Sequence, residues 1–272
     1  MVMHFLSGGR VRLRSSMYDP AADRGETFDA PVSCVLLRHP QGNVLFDTGC
    51  HPSVAENPEA RWGKLVRVMT PVMPQGEHVV NGLKAIGVAT GDIDVVICSH
   101  LHPDHCGCNA FFKRATFVIH EKEIAAARAS EAEMSGYLSQ EWDLPVEIDA
   151  IGGERDLFGD NRIVLIPLPG HTPGTTGALV ALEKSGMFFL ASDTVSLRAT
   201  FESGTVPRNT WNAEALKKSL IEVDRIEKSG ARIICGHDTA QWDTLRKGAE
   251  AYDCRRRDPR ATENCRSPRK AH

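Results

Sequence analysis

The sequence lacks long apolar runs, an excess of charge of either sign, and a high aromatic content. No apolar run approaches the ~18 residues that span a bilayer, so we expect no membrane-spanning helix and no membrane partner. The 272 residues include 32 Lys and Arg against 35 Asp and Glu, a formal net charge of −3. This balance does not suit the coating of a phosphate backbone, and nucleic acid is therefore not an expected partner.

Paired cysteine motifs and an export signal are also missing. The eight cysteines include no Cys-x-x-Cys pair, which leaves a zinc ribbon or a thioredoxin-type redox site without support. The first residues carry no positive cluster, and their apolar stretch is too short for a signal peptide. A chain of this length buries a full core without disulfides, so we expect reduced thiols and a cytoplasmic location.

The chain divides into one large patterned part and a basic end. Residues 1–253 alternate between apolar strand patterns and amphipathic helix patterns, with a hairpin predicted at 32–38 and 43–46. This alternation predicts a single domain with an α/β (α+β) fold, in which helices lie outside a sheet core. Residues 254–272 are rich in arginine, and we expect a loosely ordered basic tail there.

Individual elements follow from periodicity and capping. Helices are predicted at 78–86, 121–133 and 212–228, the last capped by Asn212. Apolar strands are predicted at 92–98, 162–168, 187–190 and 231–235. Residues 51–77 contain four prolines and no sustained period, so this segment is either partly helical or a functional lid.

The strongest chemical signal is the run Ser-His-Leu-His-Pro-Asp-His at 99–105. It concentrates imidazoles and a carboxylate, the donors that zinc and similar divalent ions prefer. His100 and His102 point the same way in an extended chain, whereas Asp104 and His105 follow where the chain must turn. The motif therefore predicts ligands for two adjacent metal ions.

Three further candidate ligands follow apolar strand patterns at their carboxyl ends. These are His171 after the pattern at 162–168, Asp193 after 187–190 and His237 after 231–235. If the strands share a sheet core, their loops converge on one rim, where metal sites are commonly built. The remaining histidines stand outside any ligand-spaced cluster, and we interpret them as structural: His4, His39, His51, His78, His120 and His272.

These motifs resemble the metallo-β-lactamase superfamily and, within it, the quorum-quenching N-acyl homoserine lactone lactonases. The resemblance covers residues 28–252. It implies an αββα sandwich, two mixed sheets flanked by helices, with two divalent metal ions per chain, usually Zn²⁺. The segments that carry it are Phe-Asp-Thr-Gly at 46–49, the 99–105 run with Asn109 after it, Pro-Gly-His-Thr-Pro-Gly at 169–174, Ser-Asp at 192–193 and Gly-His-Asp at 236–238.

The resemblance also implies a role for each candidate ligand. Asp47 resembles the carboxylate that orients the ligand loops without binding metal. The role of Asp238, directly after a ligand, stays open between orienting and purely structural. The implied metal positions are His100, His102 and His171 for one ion, Asp104, His105 and His237 for the other, and Asp193 as the bridge between them.

The activity implied by the resemblance is metal-dependent opening of a lactone ring. A hydroxide that bridges the two metals is expected to attack the ester carbonyl of an N-acyl homoserine lactone or a related small lactone. Asp104 is the expected carrier of a proton to the leaving alkoxide. The expected partner is therefore a small-molecule lactone, and a homodimer is left open as the assembly.

Other activities of the same fold compete with this interpretation. Glyoxalase-II-like thioesterases share the ligands but usually add a helical domain, and only 35 residues follow His237. A β-lactamase of the common zinc types would lack the bridging Asp193. The alternatives that stay open are another ester or thioester hydrolase, a persulfide dioxygenase with a single iron, and a metal-binding protein without catalytic activity.

The sequence departs from the lactonases at one position that concerns the substrate. Those enzymes carry a Tyr three residues after the bridging Asp, and this chain has Ser196 there. Thr194, Arg198 and Tyr137 are the candidate replacements. Arg198 is open to two interpretations, a contact for a carboxylate-bearing substrate or a surface residue.

The sequence also departs from the lactonases at two cysteines, and it offers candidates for an apolar wall on the acyl side of the substrate. Cys106 and Cys108 replace the usual small residues, and we interpret them as packing residues because free cysteine behaves as a small hydrophobe. Large apolar residues after the hairpin either line the acyl side of the substrate or pack the loop onto the sheet. They are Trp62, Leu65, Met69 and Met73, together with Met17.

Overall fold

The computed structural model describes residues 1–253, so the basic tail predicted at 254–272 lies outside the described residues. The larger of two sheets is assembled mainly from the first half of the chain. Its strands are β1 (Val2–Arg14), β2 (Thr27–His39), β3 (Gly42–Phe46), β4 (Thr70–Pro71), β5 (Val95–Ile97), β6 (Thr116–His120) and β7 (Glu147–Ile151), in the spatial order β4-β1-β2-β3-β5-β6-β7.

The smaller sheet follows in the chain and is also mixed. Its strands are β8 (Arg155–Asp156), β9 (Ile163–Pro167), β10 (Thr176–Leu182), β11 (Gly186–Ser192) and β12 (Arg232–Cys235), in the spatial order β12-β11-β10-β9-β8. β11 and β12 run parallel, whereas β10 is antiparallel to both of its neighbours. In the larger sheet, β1, β2 and β3 are antiparallel, and β3, β5, β6 and β7 are parallel. The prediction of two mixed sheets is confirmed.

Helices cover the outer faces and supply the connections. They are α1 (Pro58–Trp62), α2 (Val79–Ala85), α3 (Pro103–Cys106), α4 (Glu121–Ala127), α5 (Ser139–Trp142), α6 (Arg198–Ser203), α7 (Ala213–Lys228) and α8 (Thr239–Thr244). The predicted cap of the longest helix is present, because the Asn212 side chain accepts a hydrogen bond from the Ala215 N–H at 2.9 Å. None of the helices in residues 1–253 has the length and apolar character that a bilayer crossing requires.

The four layers arise from alternation along the strands. Val35 and Leu37 of β2 enter the core between the two sheets, which they share with Leu190 of β11. The intervening Leu36 points to the opposite face and packs in a cluster with Leu83 of α2. On the far side of the smaller sheet, a further cluster joins β11 to α7. The result is the predicted order of helix, sheet, sheet and helix.

Some elements differ from the sequence-based expectation. The patterns do not identify β6 or β10, and the Ala and Leu of β10 suit a helix equally well until its antiparallel neighbours are known. α4 ends at Ala127 rather than near residue 133. The chain then turns back, and the Ser135 carbonyl accepts a hydrogen bond from His102 Nε2 at 3.0 Å. Residues 51–77 contain α1, β4 and 3₁₀ turns, so this segment is partly helical.

Candidate metal centre and active site

Loops at the carboxyl ends of several strands converge at one edge of the sandwich. β3 and β5 run parallel, as do β11 and β12, so each pair delivers its loops to the same end of its sheet. The structure thus brings together the segments that the sequence places at strand ends. The residues delivered are Asp47 after β3, His100 after β5, His171 after β9, Asp193 after β11 and His237 after β12.

The run at 99–105 presents its ligands from two kinds of backbone. His102 has an extended backbone, and its carbonyl accepts the backbone N–H of His105 at 2.9 Å. That bond opens α3, whose single turn carries Asp104 and His105. The change from extended chain to helix is the turn that the spacing predicts.

The candidate ligand atoms form overlapping groups of three, within which all atoms lie within 4.8 Å of one another. Among these residues His102 is partly exposed and the others are buried. Two of the groups contain the residues that the resemblance implies for the two metal positions. The third group takes one histidine from each of them and adds Asp193. The groups are His100, His102 and His171; Asp104, His105 and His237; and His100, His105 and Asp193.

Asp193 lies between the two groups. Its Oδ1 is 3.1 Å from His237 Nε2 and 3.5 Å from His105 Nε2. Its Oδ2 is 3.4 Å from His171 Nε2. The two oxygens of one carboxylate therefore face ligands of both groups, which is the arrangement a bridging carboxylate requires.

Outer hydrogen bonds select the nitrogen that each imidazole turns toward the centre. His105 Nδ1 lies 2.9 Å from Asp47 Oδ2, and His237 Nδ1 lies 3.0 Å from the Pro31 carbonyl oxygen. Both acceptors require a proton on Nδ1, which leaves the Nε2 lone pair facing inward. His102 is reversed, because its Nε2 donates to Ser135 and its Nδ1 faces inward, 3.1 Å from His171 Nε2.

The inward-facing atoms fit a metal ion. His100 Nε2, His105 Nε2 and Asp193 Oδ1 are buried without a hydrogen-bond partner among the described residues, a costly state for isolated polar atoms. Zinc–nitrogen bonds of about 2.0–2.1 Å place tetrahedral ligand atoms about 3.4 Å apart. The separations around Asp193, from 3.1 to 3.5 Å, agree with that spacing.

Burial and neighbouring charges shift the pKa values of the candidate ligands. Burial opposes ionisation of Asp193, but the imidazoles of His237, His105 and His171 outweigh it and hold the pKa of Asp193 well below its ordinary value. Burial and the neighbouring imidazoles lower the pKa of His100, which favours the neutral form that binds metal. Burial opposes protonation of His105 and His237, but Asp193 and Asp104 outweigh it and raise the pKa of both rings. A divalent cation would take the place of those protons between the same side chains.

Strained backbone supports the centre from below. Asp47 and Ser192 have positive φ angles of 57° and 46°, conformations that side-chain-bearing residues seldom adopt. Both side chains meet Ser99, whose Oγ lies 2.8 Å from Asp47 Oδ2 and 2.7 Å from Ser192 Oγ. The strained backbone therefore lies at the point where the loops of Asp47, Ser99 and Ser192 are hydrogen-bonded to one another.

Comparison with known proteins now identifies the family. The sequence profile of the metallo-β-lactamase superfamily matches residues 28–189, which is more than half of the chain. The chain belongs to this superfamily. The matched region contains the candidate ligands at 100–105 and His171, whereas Asp193 and His237 follow it.

Several relatives of this superfamily member are named as lactonases. An N-acyl homoserine lactonase from a Bacillus species is 32% identical over 242 residues, which cover 88% of this chain and 94% of the relative. The N-acyl homoserine lactonase AttM of Azorhizobium caulinodans is 29% identical over 269 residues, covering 92% and 98%. A solved N-acyl homoserine lactone hydrolase, with the product N-hexanoyl-L-homoserine at its catalytic metal centre, has a TM-score of 0.83 at 29% identity and covers 92% of this chain and 98% of its own.

One buried carboxylate beside this metallo-β-lactamase centre escapes sequence analysis. Glu123 is fully buried in α4, and its Oε1 accepts the Leu101 N–H at 3.0 Å. Its Oε2 accepts the Thr172 hydroxyl at 2.7 Å and the Gly174 N–H at 3.0 Å. Glu123 therefore ties the loop of His100 and His102 to the loop of His171. Its place in a helical pattern, directly after Glu121 and Lys122, gives no such signal.

Two polar residues whose roles the sequence leaves open, Arg198 and Asp238, have structural partners. The Arg198 guanidinium donates to Glu202 at 2.8 Å and to Glu227, so the structure pairs it with two carboxylates on the protein surface. Asp238 caps α8 by accepting the Gln241 N–H at 2.7 Å, and it also accepts the Arg198 N–H at 2.8 Å. These contacts favour the surface interpretation of Arg198 and the structural interpretation of Asp238.

Ser196, which occupies the tyrosine position of the lactonases, and the two other candidate replacements, Thr194 and Tyr137, are all buried. Ser196 is next to the ligand loop, and its Oγ donates to the Asp193 carbonyl at 3.5 Å. The Thr194 hydroxyl donates to the Leu168 carbonyl at 3.4 Å. Tyr137 has its ring 5.3 Å from that of His102, but its hydroxyl lies beside Glu123 and Thr172, beneath the loops.

The predicted acyl wall forms one apolar cluster at the end of β1 and β2. Trp62 and Met73 are buried in it, and Met73 Sδ packs close to Gly9. Met69, Met17 and Leu65 are partly buried at its edge. The structure thus gives Trp62 and Met73 a packing role and leaves the edge residues as the candidates for substrate contact.

Cysteines and isolated histidines behave as structural residues in the described chain. The six described cysteines are free and buried, and burial raises the pKa of the Cys106 thiol well above its usual value. The isolated histidines lie outside the ligand groups, and His272 lies outside the described residues. Local partners include the Gly248 carbonyl for His4, Asp160 for His39 and Ser53 for His51.

Proposed function

We propose that this superfamily member is a metal-dependent hydrolase that opens the lactone ring of an N-acyl homoserine lactone or a related small lactone. The observation that carries the proposal is the position of Asp193, whose two oxygens face ligands of both groups at 3.1 to 3.5 Å. The named activities of the lactonase relatives support the choice of substrate. An enzyme with this activity acts in quorum quenching.

The proposed centre holds two divalent ions, most simply Zn²⁺. Two complete groups of donors favour two ions, and imidazole with carboxylate is a donor set that zinc prefers. Asp47 orients His105 through the 2.9 Å contact to Nδ1 without itself facing the centre. The proposed ligands are His100, His102 and His171 for one ion, Asp104, His105 and His237 for the other, and Asp193 for both.

The reaction adds one water to the ester carbon and breaks the bond to the ring oxygen. When bound, the ions activate water and polarise the ester carbonyl. The protein must then protonate an alkoxide that remains tethered to the product. Asp104 is the proposed proton carrier, because its Oδ2 lies 3.4 Å from His105 Nε2 and 3.5 Å from His237 Nε2, inside the centre.

Substrate contacts and cellular setting are part of the same proposal. Met69 at the edge of the apolar cluster is proposed to contact the acyl chain, and Ser196 lies close enough to Asp193 to border the ester. The free state of the described cysteines supports action in the cytoplasm. Residues 1–253 are proposed as the hydrolase domain, and a homodimer remains a prediction.

Mass spectrometry of a short-chain and a long-chain acyl homoserine lactone tests the reaction. Incubation with zinc-loaded protein is expected to add one water to each lactone, and the Asp193→Ala variant is expected to add none. Metal analysis should find two ions per chain. Turnover of thioesters or simple esters, with no lactone opened, would instead favour another hydrolase of this fold.

The single-iron dioxygenase is the alternative that the geometry disfavours. A mononuclear site needs one ligand group, whereas Asp104, His105 and His237 form a second complete group. One iron per chain, together with oxygen consumption on a persulfide, would overturn the proposal. Two zinc ions per chain would exclude the dioxygenase.

A further inference from the structure

The chain has three tyrosines. Their surroundings differ, and these surroundings decide which phenol hydroxyl can contact a substrate. Tyr252 packs edge-on against Phe5 and Phe188, with ring centroids at 5.7 and 5.1 Å, in the core between the sheets. The hydroxyl of Tyr137 lies beneath the ligand loops, beside Glu123. Neither hydroxyl faces the acidic residues of the centre.

Tyr18 does face them. The residue is 3% exposed, and its hydroxyl lies beside Ser196. Burial, and then the negative charges of Asp193 and Asp104, raise the pKa of the phenol. Ser196 is the residue that occupies the lactonase tyrosine position. A phenol and a serine hydroxyl therefore share the space that one longer side chain would fill.

The position of Tyr18 is held by the fold. Its N–H donates to the Ser15 carbonyl at 3.0 Å, and its ring packs edge-on against Phe28 at 5.7 Å. The neighbouring Met17 carbonyl accepts the Arg208 N–H at 2.9 Å, which ties this turn to the chain segment that follows α6. The hydroxyl is thus presented by a rigid turn rather than by a free loop.

The same segment brings a second polar group to the Tyr18 hydroxyl. The Asn209 side chain lies beside the phenol oxygen. Its Oδ1 is buried and has no hydrogen-bond partner among the described residues. A buried carbonyl oxygen without a donor is costly, so a ligand that supplies an N–H would be favoured there.

We propose that Tyr18 supplies the substrate phenol that Ser196 lacks, its hydroxyl donating a hydrogen bond to the lactone ester, while Asn209 Oδ1 accepts the amide N–H of the acyl homoserine. This inference rests on the proposed lactonase function. An acyl homoserine lactone carries an ester and an amide N–H a few bonds apart, which matches one donor and one acceptor on adjacent side chains. Charge develops on the ester oxygens during ring opening, so a fixed donor there stabilises the transition state.

The first test compares phenol deletions on zinc-loaded protein. Tyr18→Phe is expected to lower kcat/KM for N-hexanoyl homoserine lactone by roughly 10- to 100-fold, the range of one lost hydrogen bond to substrate. Metal content and the thermal midpoint should stay at the wild-type values. Tyr252→Phe is the matched control, since it removes a phenol from the core between the sheets.

The second test separates the amide contact from a general loss. Asn209→Ala is expected to lower kcat/KM for the acyl homoserine lactone by about tenfold and to spare a simple γ-lactone without an amide. Affinity for the ring-opened N-hexanoyl homoserine, measured by calorimetry, should fall in the same variant.

Several outcomes would overturn the inference, and one of them differs from the rest. An active wild type whose Tyr18→Phe variant keeps its rate overturns the role of Tyr18 alone. So does a loss that appears in Tyr137→Phe instead, or a loss in Tyr18→Phe that accompanies loss of bound metal. A wild type that opens no lactone overturns the proposed function, and this inference with it.

Discussion

Asp47 Oδ2 lies 2.9 Å from His105 Nδ1, and the same carboxylate accepts both the N–H and the hydroxyl of Ser99 at 2.8 Å. One buried side chain thus sets the orientation of a candidate ligand and the path of the loop before it. Burial raises the pKa of Asp47 above its ordinary value, and the contacts with His105 and Ser99 offset only part of that rise. The hydrogen bonds from His105 and Ser99 thus compensate part of the cost of burying the Asp47 carboxylate.

Asp47→Asn is expected to weaken metal binding without unfolding the protein. An amide cannot accept all three of these hydrogen bonds, so the His105 ring loses its fixed orientation. We expect zinc affinity to fall by about 10- to 100-fold, as for other partners of metal-bound histidine. Competition with a chromogenic chelator measures this, and Asp94→Asn, at an exposed carboxylate that accepts the Asn43 N–H at 2.8 Å, is the control. Equal zinc affinity in the two variants would contradict the role given to Asp47.

Glu123→Gln is expected to reduce stability, because the amide group would face donors that now meet a carboxylate. The free energy of unfolding should fall by about 1–3 kcal/mol, the cost of a buried polar group left without its partner. Urea denaturation of the zinc-loaded protein measures the loss. Glu121→Gln changes an exposed carboxylate two residues away in the same helix, and a loss of similar size there would argue against the buried contacts as the cause.

Gly236→Ala tests how closely the loops approach one another. A Cβ at this position would lie 2.4 Å from Asp193 Oδ1, so the carboxylate or the loop must move. We expect zinc affinity to fall by about tenfold or more. Gly153→Ala introduces a methyl group with nothing within 4 Å and should leave affinity unchanged. A Gly236→Ala protein with wild-type affinity would show that Asp193 tolerates displacement.

The candidate ligands are predictable from sequence because their side chains are of metal-binding types and directly follow predicted strands. His100, His102 and His171 carry the donor type, and the apolar runs before them mark the edge of a sheet. The supports of these ligands are not predictable in the same way. Ser135 holds His102 through a backbone carbonyl, a group that every residue has.

Long-range partners explain the rest of what the sequence conceals. Glu123 joins loops that lie 22 and 51 residues away along the chain, and neither separation leaves a local pattern. Tyr18 likewise precedes Ser196 by most of the chain, so only the fold places the two together. The residues of β10 suit a helix as well as a strand. Only the pairing of β10 with β9 and β11 decides for the strand, and those partners are not visible in its own sequence.

Stability is expected to fall as the pH drops below 6.5, partly through His51. Burial, and then the charge of Arg61, lower the pKa of His51 from 6.5 to about 4. Between these values the unfolded chain binds more protons than the folded protein, so stability is complete above 6.5 and is lost as the pH falls through 4. His51→Asn keeps an acceptor for the Ser53 N–H and removes the titrating ring. Denaturation of both proteins across this range should give a flatter curve for the variant, and parallel curves would exclude His51 as a contributor.

Two exposed apolar residues belong to segments that contact candidate ligands, and we expect them to set acyl-chain preference. Trp211 is 58% exposed, and its backbone N–H donates to the His171 carbonyl at 3.0 Å. Met134 is 86% exposed and precedes Ser135, whose carbonyl accepts a hydrogen bond from His102. Trp211→Ser should raise KM for a long-chain lactone by about tenfold, because burial of each methylene contributes about 0.8 kcal/mol, and should change KM for a short-chain lactone little. Ile221→Ser on α7 removes an apolar side chain that is 70% exposed and should affect neither substrate. An equal rise in KM for both chain lengths after Trp211→Ser would place Trp211 at the lactone ring rather than along the acyl chain.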